Sequence, residues 1–175
     1  CNASPAADSV PAMIAAAVTL TIAGPNGRRE LPVEDLCQSP GKTALEKAEI
    51  VVSFAFPARG AVASDAYLRL TPRTEMDIAV VGVGVSLELD GDGTCRAARV
   101  GLGAVAIKAL LVDEAAQALI GTKVDAAAID AMAAATSAAA KPIDDKRGTK
   151  EYRIKIAGVL AKRAAGIALE RARQN

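Results

Sequence analysis

The sequence predicts an α+β fold in which antiparallel strands come first and helices follow. Residues 81–89 show the clearest strand pattern, since valine or leucine occupies every odd position and glycine or a polar residue every even one. An Asp-Gly-Asp-Gly turn at 90–93 then leads into a partner strand at 95–107. After residue 111 the apolar residues recur at helical spacing, which favours a sheet of sequence neighbours over a parallel sheet wound through helices.

The second half of the chain is expected to form a three-stranded antiparallel sheet packed on three helices. Its strands are expected at 66–72, 81–89 and 95–107, and its helices at 112–120, 125–140 and 150–172. Because the odd residues of 81–89 are apolar, Val83 and its alternate neighbours are expected to face these helices.

The first half is expected to open with a short helix that Ser4 caps and Pro5 begins. A strand hairpin should follow, because residues 18–23 alternate and end on a Gly-Pro-Asn-Gly turn. The remaining segments are a return strand, a short turn, a loop with one helical turn and a strand, expected at 28–32, 33–36, 37–48 and 49–56. A linker-like stretch at 57–64 divides the chain into predicted domains 1–58 and 59–175.

Composition narrows the possible chemistry. The chain is 51% hydrophobic but only 2% aromatic, so its core must come from valine, isoleucine, leucine and closely packed alanine. It contains no histidine, which excludes Ser-His and Cys-His nucleophile pairs and sites with histidine ligands to zinc or haem. The net charge of +1 gives no reason to expect a nucleic-acid partner, and no apolar run is long enough for a transmembrane segment.

Two further features bear on location and partners. Cys1, Cys37 and Cys95 are odd in number and widely separated, which is typical of reduced, structural cysteines in a cytoplasmic protein and unsuited to a metal cluster. From Lys141 onward ten basic residues face four acidic ones. This excess indicates a solvated helix face, with a docking surface for a partner protein as the alternative.

Three short motifs are better explained by local structure than by a ligand. Residues 39–43 suggest a phosphate loop, but Leu36 stands where the motif needs glycine. Residues 90–92 suggest a calcium loop, but its later glycine and glutamate positions hold other residues, so a hairpin turn is expected. Residues 101–106 match a loose dinucleotide fingerprint, yet they lie within a predicted strand and no helix opens on them.

The string Asn-Ala-Ser-Pro-Ala-Ala-Asp at residues 2–8 is the most informative in the chain. Its residues alone favour a capped helix start, although small residues at a helix N-terminus also let an anionic ligand approach the backbone. Residues 2–11 closely resemble the N-A-S-P-x-A-D-x-x-P motif of the FAD-binding medium subunit of the molybdenum hydroxylases, the xanthine dehydrogenase and carbon monoxide dehydrogenase family.

The resemblance extends in order along almost the whole chain. The other matching segments are Gly41–Leu45 with Glu49–Val51, Ala66–Arg69 through Asp77–Ala79, Leu89–Gly93, Asp144–Gly148 and Glu151–Arg153. It implies an oxidoreductase subunit in which FAD takes electrons from a small [2Fe-2S] subunit and passes them to an external acceptor. The implied partners are that small subunit and a large molybdenum-cofactor subunit. The alternative is a structural or docking module without cofactor contact.

The resemblance also implies a set of cofactor-binding residues, which are Asn2, Ala3, Ser4, Asp8, Val51 and Arg69. Asp8 is expected to accept hydrogen bonds from ribose or ribityl hydroxyls, or from nearby backbone N–H groups. Arg69 stands where many relatives have lysine, and it is expected to raise the flavin potential with its positive charge. The alternative for Arg69 is a surface ion pair with Glu75 or Asp77. The glycine-rich stretches that hold the FAD pyrophosphate in this family are expected upstream of Cys1, so this part of the subunit should bind FAD weakly or not at all.

Overall fold

The computed structural model describes residues 3–74 and 77–175 and confirms the α+β class. Its first part holds a short helix, two small sheets and a single helical turn. Their bounds are α1 (Ser9–Ala15), β1 (Thr19–Gly24), β2 (Gly27–Pro32), α2 (Val33–Leu36), β3 (Cys37–Ser39), β4 (Lys42–Thr43) and β5 (Ile50–Ala55). Within the described residues, no helix combines the length and apolar character needed to cross a membrane.

The first sheet is antiparallel, in the order β2-β1-β5. Central strand β1 buries Leu20 and Ile22 completely, as the alternation of this segment predicts. Their small core also contains Ile14 from α1 and Val33 from α2. Edge strand β5 differs, because Ile50, Val52 and Phe54 are all exposed.

The main sheet is antiparallel and four-stranded, in the order β6-β7-β8-β9, and three helices follow it. The bounds are β6 (Ala63–Leu70), β7 (Val81–Leu89), β8 (Cys95–Gly103), β9 (Leu110–Leu111), α3 (Asp113–Gln117), α4 (Ala126–Ala139) and α5 (Lys150–Gln174). Asp125 caps α4 by accepting the Ala128 N–H, and Thr149 caps α5 by accepting the Tyr152 N–H. The three predicted strands are present, and the two-residue β9 extends their sheet.

The main core lies between this sheet and α5. Val83 is completely buried, together with the other odd residues of β7, which confirms the predicted inward face. The helix presents Ala161, Ala164, Ala165 and Ala168 to the core, all with no exposed area. Since alanine adds only a methyl group, α5 can approach the valines closely, which suits a core almost without aromatic residues.

The opposite face of the sheet is covered by α1. A Cβ atom added at Gly84, Gly101 or Gly103 would lie closer than 3.0 Å to an atom of Pro11. The backbone of α1 therefore rests directly on the strands where these glycines stand. At the end of the helix, Arg99 of β8 donates from Nε to the Ile14 carbonyl oxygen at 2.9 Å.

Several local predictions need correction. The first helix begins at Ser9 instead of Pro5, because residues 4–7 form a turn in which the Ser4 carbonyl oxygen accepts the Ala7 N–H at 3.1 Å. Residues 37–43 form the β3-β4 hairpin, in place of the expected loop with a helical turn. The third strand of the main sheet ends at Gly103 rather than 107, since Ala104 adopts a left-handed φ of 68° that breaks the strand.

Candidate functional site

Two of the predicted site residues meet in space. Arg69 and Asp8 lie 61 positions apart, yet Arg69 Nη1 donates to Asp8 Oδ2 in an ion pair. Asp8 immediately precedes α1, and Arg69 lies near the end of edge strand β6, opposite Gly82 of β7. The two side chains are 46% and 40% exposed, so a ligand can reach the pair from solvent.

Arg69 thus pairs with Asp8, whereas the alternative considered from the sequence was an ion pair with Glu75 or Asp77. The Asp77 carboxylate instead faces Arg147 Nε at 3.2 Å and Arg73 Nε at 3.5 Å. Burial by itself would raise the pKa of Asp77, but the Ile78 N–H and the two arginines lower it overall. Glu75, the other partner considered, lies outside the described residues.

Tyr67 is the third member of this cluster and was missed from the sequence. It precedes Arg69 by two positions on the same strand and so points to the same face. Its hydroxyl is buried and has no hydrogen-bond partner among residues 3–74 and 77–175, and a Cβ at Gly82 would lie 2.8 Å from it. Burial, aided by the negative charge of Asp8 and opposed by Arg69, raises the pKa of Tyr67 to about 12. The phenol therefore keeps its proton at neutral pH.

The N-terminal turn positions Asp8. The Ser4 hydroxyl oxygen accepts the Ala6 N–H at 3.3 Å, so Ser4 stabilises the turn instead of capping a helix. Ala3 begins this turn with a left-handed φ of 53°, a conformation that is rare for a residue other than glycine. Asn2 lies outside the described residues.

Val51 occupies a different part of the molecule. It lies on β5 opposite Ile22, half-buried against the small core that also holds Ile14. Its neighbours Ile50 and Val52 are 63% and 43% exposed, so they lie on the open side of the strand. The structure thus groups Asp8, Arg69 and Tyr67, while Val51 belongs to the first sheet.

An apolar cleft of about 360 Å³ runs between α1 and β6 beside the cluster. Ser9, Ala12 and Met13 form one wall, and Tyr67 forms part of the other. Arg59 and Asp65, which form an ion pair with each other, also line it. Within residues 3–74 and 77–175, no group of three or more Cys, Asp or Glu side chains could hold a metal ion.

Two family models match the chain, one for each half. Residues 1–59 match the FAD binding domain in molybdopterin dehydrogenase. Residues 66–168 match the CO dehydrogenase flavoprotein C-terminal domain.

Curated relatives match over nearly the whole chain. The carbon monoxide dehydrogenase medium chain of Afipia carboxidovorans is 34% identical over 172 residues, which are 98% of this chain and 59% of that protein. The xanthine dehydrogenase FAD-binding subunit of Escherichia coli is 26% identical over 164 residues, covering 93% and 56%. The chain thus spans less than three fifths of the length of these relatives.

Solved structures share the fold. Carbon monoxide dehydrogenase from Hydrogenophaga pseudoflava superposes with a TM-score of 0.92 at 34% identity, covering 97% of this chain and 58% of that one. Quinoline 2-oxidoreductase from Pseudomonas putida 86 gives a TM-score of 0.85 at 26% identity, with the same coverage.

Proposed function

The chain belongs to the family of FAD-binding medium subunits of the molybdenum hydroxylases, and from this premise we propose that it forms part of the flavin site of such an oxidoreductase. The observation that carries the proposal is the Asp8–Arg69 ion pair. It joins two residues that the resemblance independently assigns to the cofactor, from segments far apart in sequence. A structural or docking module without a cofactor remains the competing function.

The wider assembly is part of the same proposal. The subunit would receive electrons from a small [2Fe-2S] subunit, which takes them from a large molybdenum-cofactor subunit, and would pass them to an external acceptor in the cytoplasm. We place the division between the flavin domain and the C-terminal domain at residues 58 and 59. The matched ranges of the two family models, which end at 59 and begin at 66, support a division there.

The residues of the cluster fit FAD. Asp8 offers an exposed carboxylate that can accept hydrogen bonds from ribose or ribityl hydroxyls while Arg69 holds it in place. The buried Tyr67 hydroxyl is an unused polar group beside this pair. FAD, when bound, supplies reversible two-electron redox chemistry, which none of these side chains can provide.

The ion pair modifies the role expected for Arg69. An isolated cation near the ring would favour negative charge there, but the Asp8 carboxylate offsets much of that field. The pair holds the guanidinium at a fixed position. A bound flavin ring beside it would experience a dipole instead of a full positive charge.

The test is flavin retention in the full-length subunit. Asp8→Ala removes the acceptor and should weaken FAD binding by a factor of ~10, about what a hydrogen bond to a charged group contributes. Asp113→Ala, at an exposed aspartate in the first turn of α3, is the matched control and should retain flavin normally. Flavin absorbance after extended dialysis measures both variants. Equal flavin occupancy in the two variants would contradict a cofactor role for Asp8, and a wild-type subunit without flavin would favour the docking module.

A further inference from the structure

A separate cavity of about 420 Å³ opens between the N-terminal turn, the segment after β8 and the loop that joins α4 to α5. Pro5 and Ala6 contribute the first wall, Ala104, Ala106 and Ile107 the second, and residues 141–143 the third. Neither Asp8 nor Arg69 is among the described residues that line it. The cavity is therefore distinct from the cluster proposed to contact FAD.

The walls of this cavity are apolar and open to solvent. Ile78, Ile107 and Ile143 stand on its rim with 52%, 63% and 70% of their surface exposed. Three large exposed aliphatic side chains around one opening are unusual on a chain whose other isoleucines are mostly covered. The volume falls in the range of small-molecule sites, roughly 300–1,000 Å³.

A buried guanidinium lies at the inner end. Arg153, near the start of α5, is only 4% exposed, and its Nη1 donates to the Val80 carbonyl oxygen at 3.0 Å. Its Nη2 lies 2.5 Å from Asp145 Oδ1 in an ion pair. Its Nε has no hydrogen-bond partner within the described part of the chain. The inner end of the cavity thus has N–H capacity that the protein does not fully use.

The charges around the cavity leave an excess of cations. The lining contains Lys141, Arg147 and Arg153 but only one carboxylate, Asp145, which pairs with Arg153. Asp77, outside the lining, is shared by Arg147 and Arg73. Lys141, exposed at the rim, has no carboxylate partner among residues 3–74 and 77–175. The lining therefore carries about two positive units, which favours an anion over a neutral ligand.

We propose that this cavity binds a small organic carboxylate, with its apolar body against the isoleucine rim and its carboxylate near Lys141. The apolar walls supply the contact area, and the excess positive charge selects the anion over a neutral molecule of the same shape. Because neither Asp8 nor Arg69 lines it, the site is tested by ligand binding to the full-length subunit and not by flavin content.

The probe is benzoate, with benzamide as the uncharged control of nearly the same shape. Titration followed by ¹⁵N–¹H correlation spectra should give saturable shifts at residues 104–107 and 141–147, with a dissociation constant of about 1 mM, as expected for a ligand of nine heavy atoms. Benzamide should bind at least ~10-fold more weakly, since it lacks the charge.

Two variants sharpen the test without touching Arg153, whose hydrogen bonds join α5 to the sheet. Lys141→Glu should weaken benzoate at least ~10-fold by cancelling the excess positive charge of the lining, while Lys47→Glu makes the same change at an exposed lysine beside the β1–β2 turn and should bind normally. Ile143→Ala should weaken benzoate and benzamide alike. The proposal is overturned if benzamide equals benzoate, if the shifts fall elsewhere, if nothing binds up to ~20 mM, or if the two lysine variants behave identically.

Discussion

The two faces of the four-stranded sheet are covered in opposite ways. On one face, Val83 and its alternate neighbours bury their side chains against α5. On the other face, Gly84, Gly101 and Gly103 present no side chains, and α1 lies against the bare backbone. The first face is stabilised by the apolar area it removes from water, whereas the second depends on the close fit that missing Cβ atoms permit.

The glycine face also places the proposed flavin residues. Because α1 rests directly on β7 and β8, its N-terminal end brings Asp8 to the β6 edge, where Arg69 and Tyr67 project from the same face. A bulky side chain beneath α1 would raise the helix and separate these groups. The helix face of the sheet therefore serves mainly stability, while the glycine face also serves the site.

The largest expected effect comes from a charge on the helix face. Val83→Asp should unfold the chain at ambient temperature, because an unpaired carboxylate in this core costs several kcal/mol. Val52→Asp, at a 43% exposed position on β5, is the matched control and should melt close to wild type. Thermal unfolding by circular dichroism measures both. A Val83→Asp protein that melts at the wild-type temperature would show that the fold does not depend on burial of this face.

A smaller loss is expected on the glycine face. Gly101→Ala adds one methyl group that overlaps the Pro11 carbonyl oxygen, and it should destabilise the chain by ~1–3 kcal/mol, the usual range for overpacking. Gly166→Ala in α5 is the control, since nothing lies within 4 Å of its added Cβ. It should stabilise the chain by ~0.5–1 kcal/mol. Urea denaturation distinguishes the two, and a stabilising Gly101→Ala would refute the close fit of α1.

The ion pair at the edge should affect the flavin more than the fold. In the full-length subunit, Arg69→Gln should lower the flavin potential by tens of millivolts, since ~30 mV corresponds to ~1.4 kcal/mol for a two-electron couple. Asp8→Asn should raise it, because the remaining arginine is then uncompensated. Spectroelectrochemical titration of both variants, with Arg173→Gln at the far end of α5 as control, tests these opposite signs. If the flavin potential shifts in the same direction in both variants, the ion pair does not act on the flavin as a dipole.

The smallest effect is a pH dependence in the first sheet. Arg29 donates to Glu49 from Nε at 2.8 Å and from Nη2 at 2.7 Å, and these bonds with the Glu46 N–H lower the pKa of Glu49 from 4.5 to about 2. The carboxylate form is thus favoured by folding. Its contribution to stability is present above pH 4.5 and is lost as the pH falls toward 2. As the pH is lowered from 6 to 2, the urea concentration at the unfolding midpoint should fall less steeply for Glu49→Gln than for the wild type.

The second half of the chain could be predicted from the sequence to a large extent. The alternation along β7 gave its inward face correctly, and the helix starts predicted at 125 and 150 lie within one residue of the observed starts of α4 and α5. These signals are local, since the residues that decide each feature lie within a few positions of one another. The first half of the chain was less predictable, because Ser4 and Pro5 give the signature of a helix cap but form a turn.

The glycines show most clearly where local patterns stop being informative. Gly101 and Gly103 resemble part of a nucleotide-binding fingerprint, and the same absence of side chains serves equally well to seat a helix. The choice between these uses depends on what packs there, and α1 comes from about 90 residues earlier in the chain. Sequence periodicity carries no record of that contact.

The sequence by itself determined the α+β class, the order of the main strands and helices, and the family to which the chain belongs, because periodicity, capping and ordered motifs are written along the chain. Only the tertiary structure decided that Asp8 pairs with Arg69, that the buried Tyr67 hydroxyl lies beside them, and that Lys141 stands at the rim of a cavity with no carboxylate partner in the described part of the chain. Each of these depends on atoms that approach within a few ångströms across long stretches of sequence. Electrostatic and hydrogen-bond partners are set by those distances, which local residue patterns do not encode.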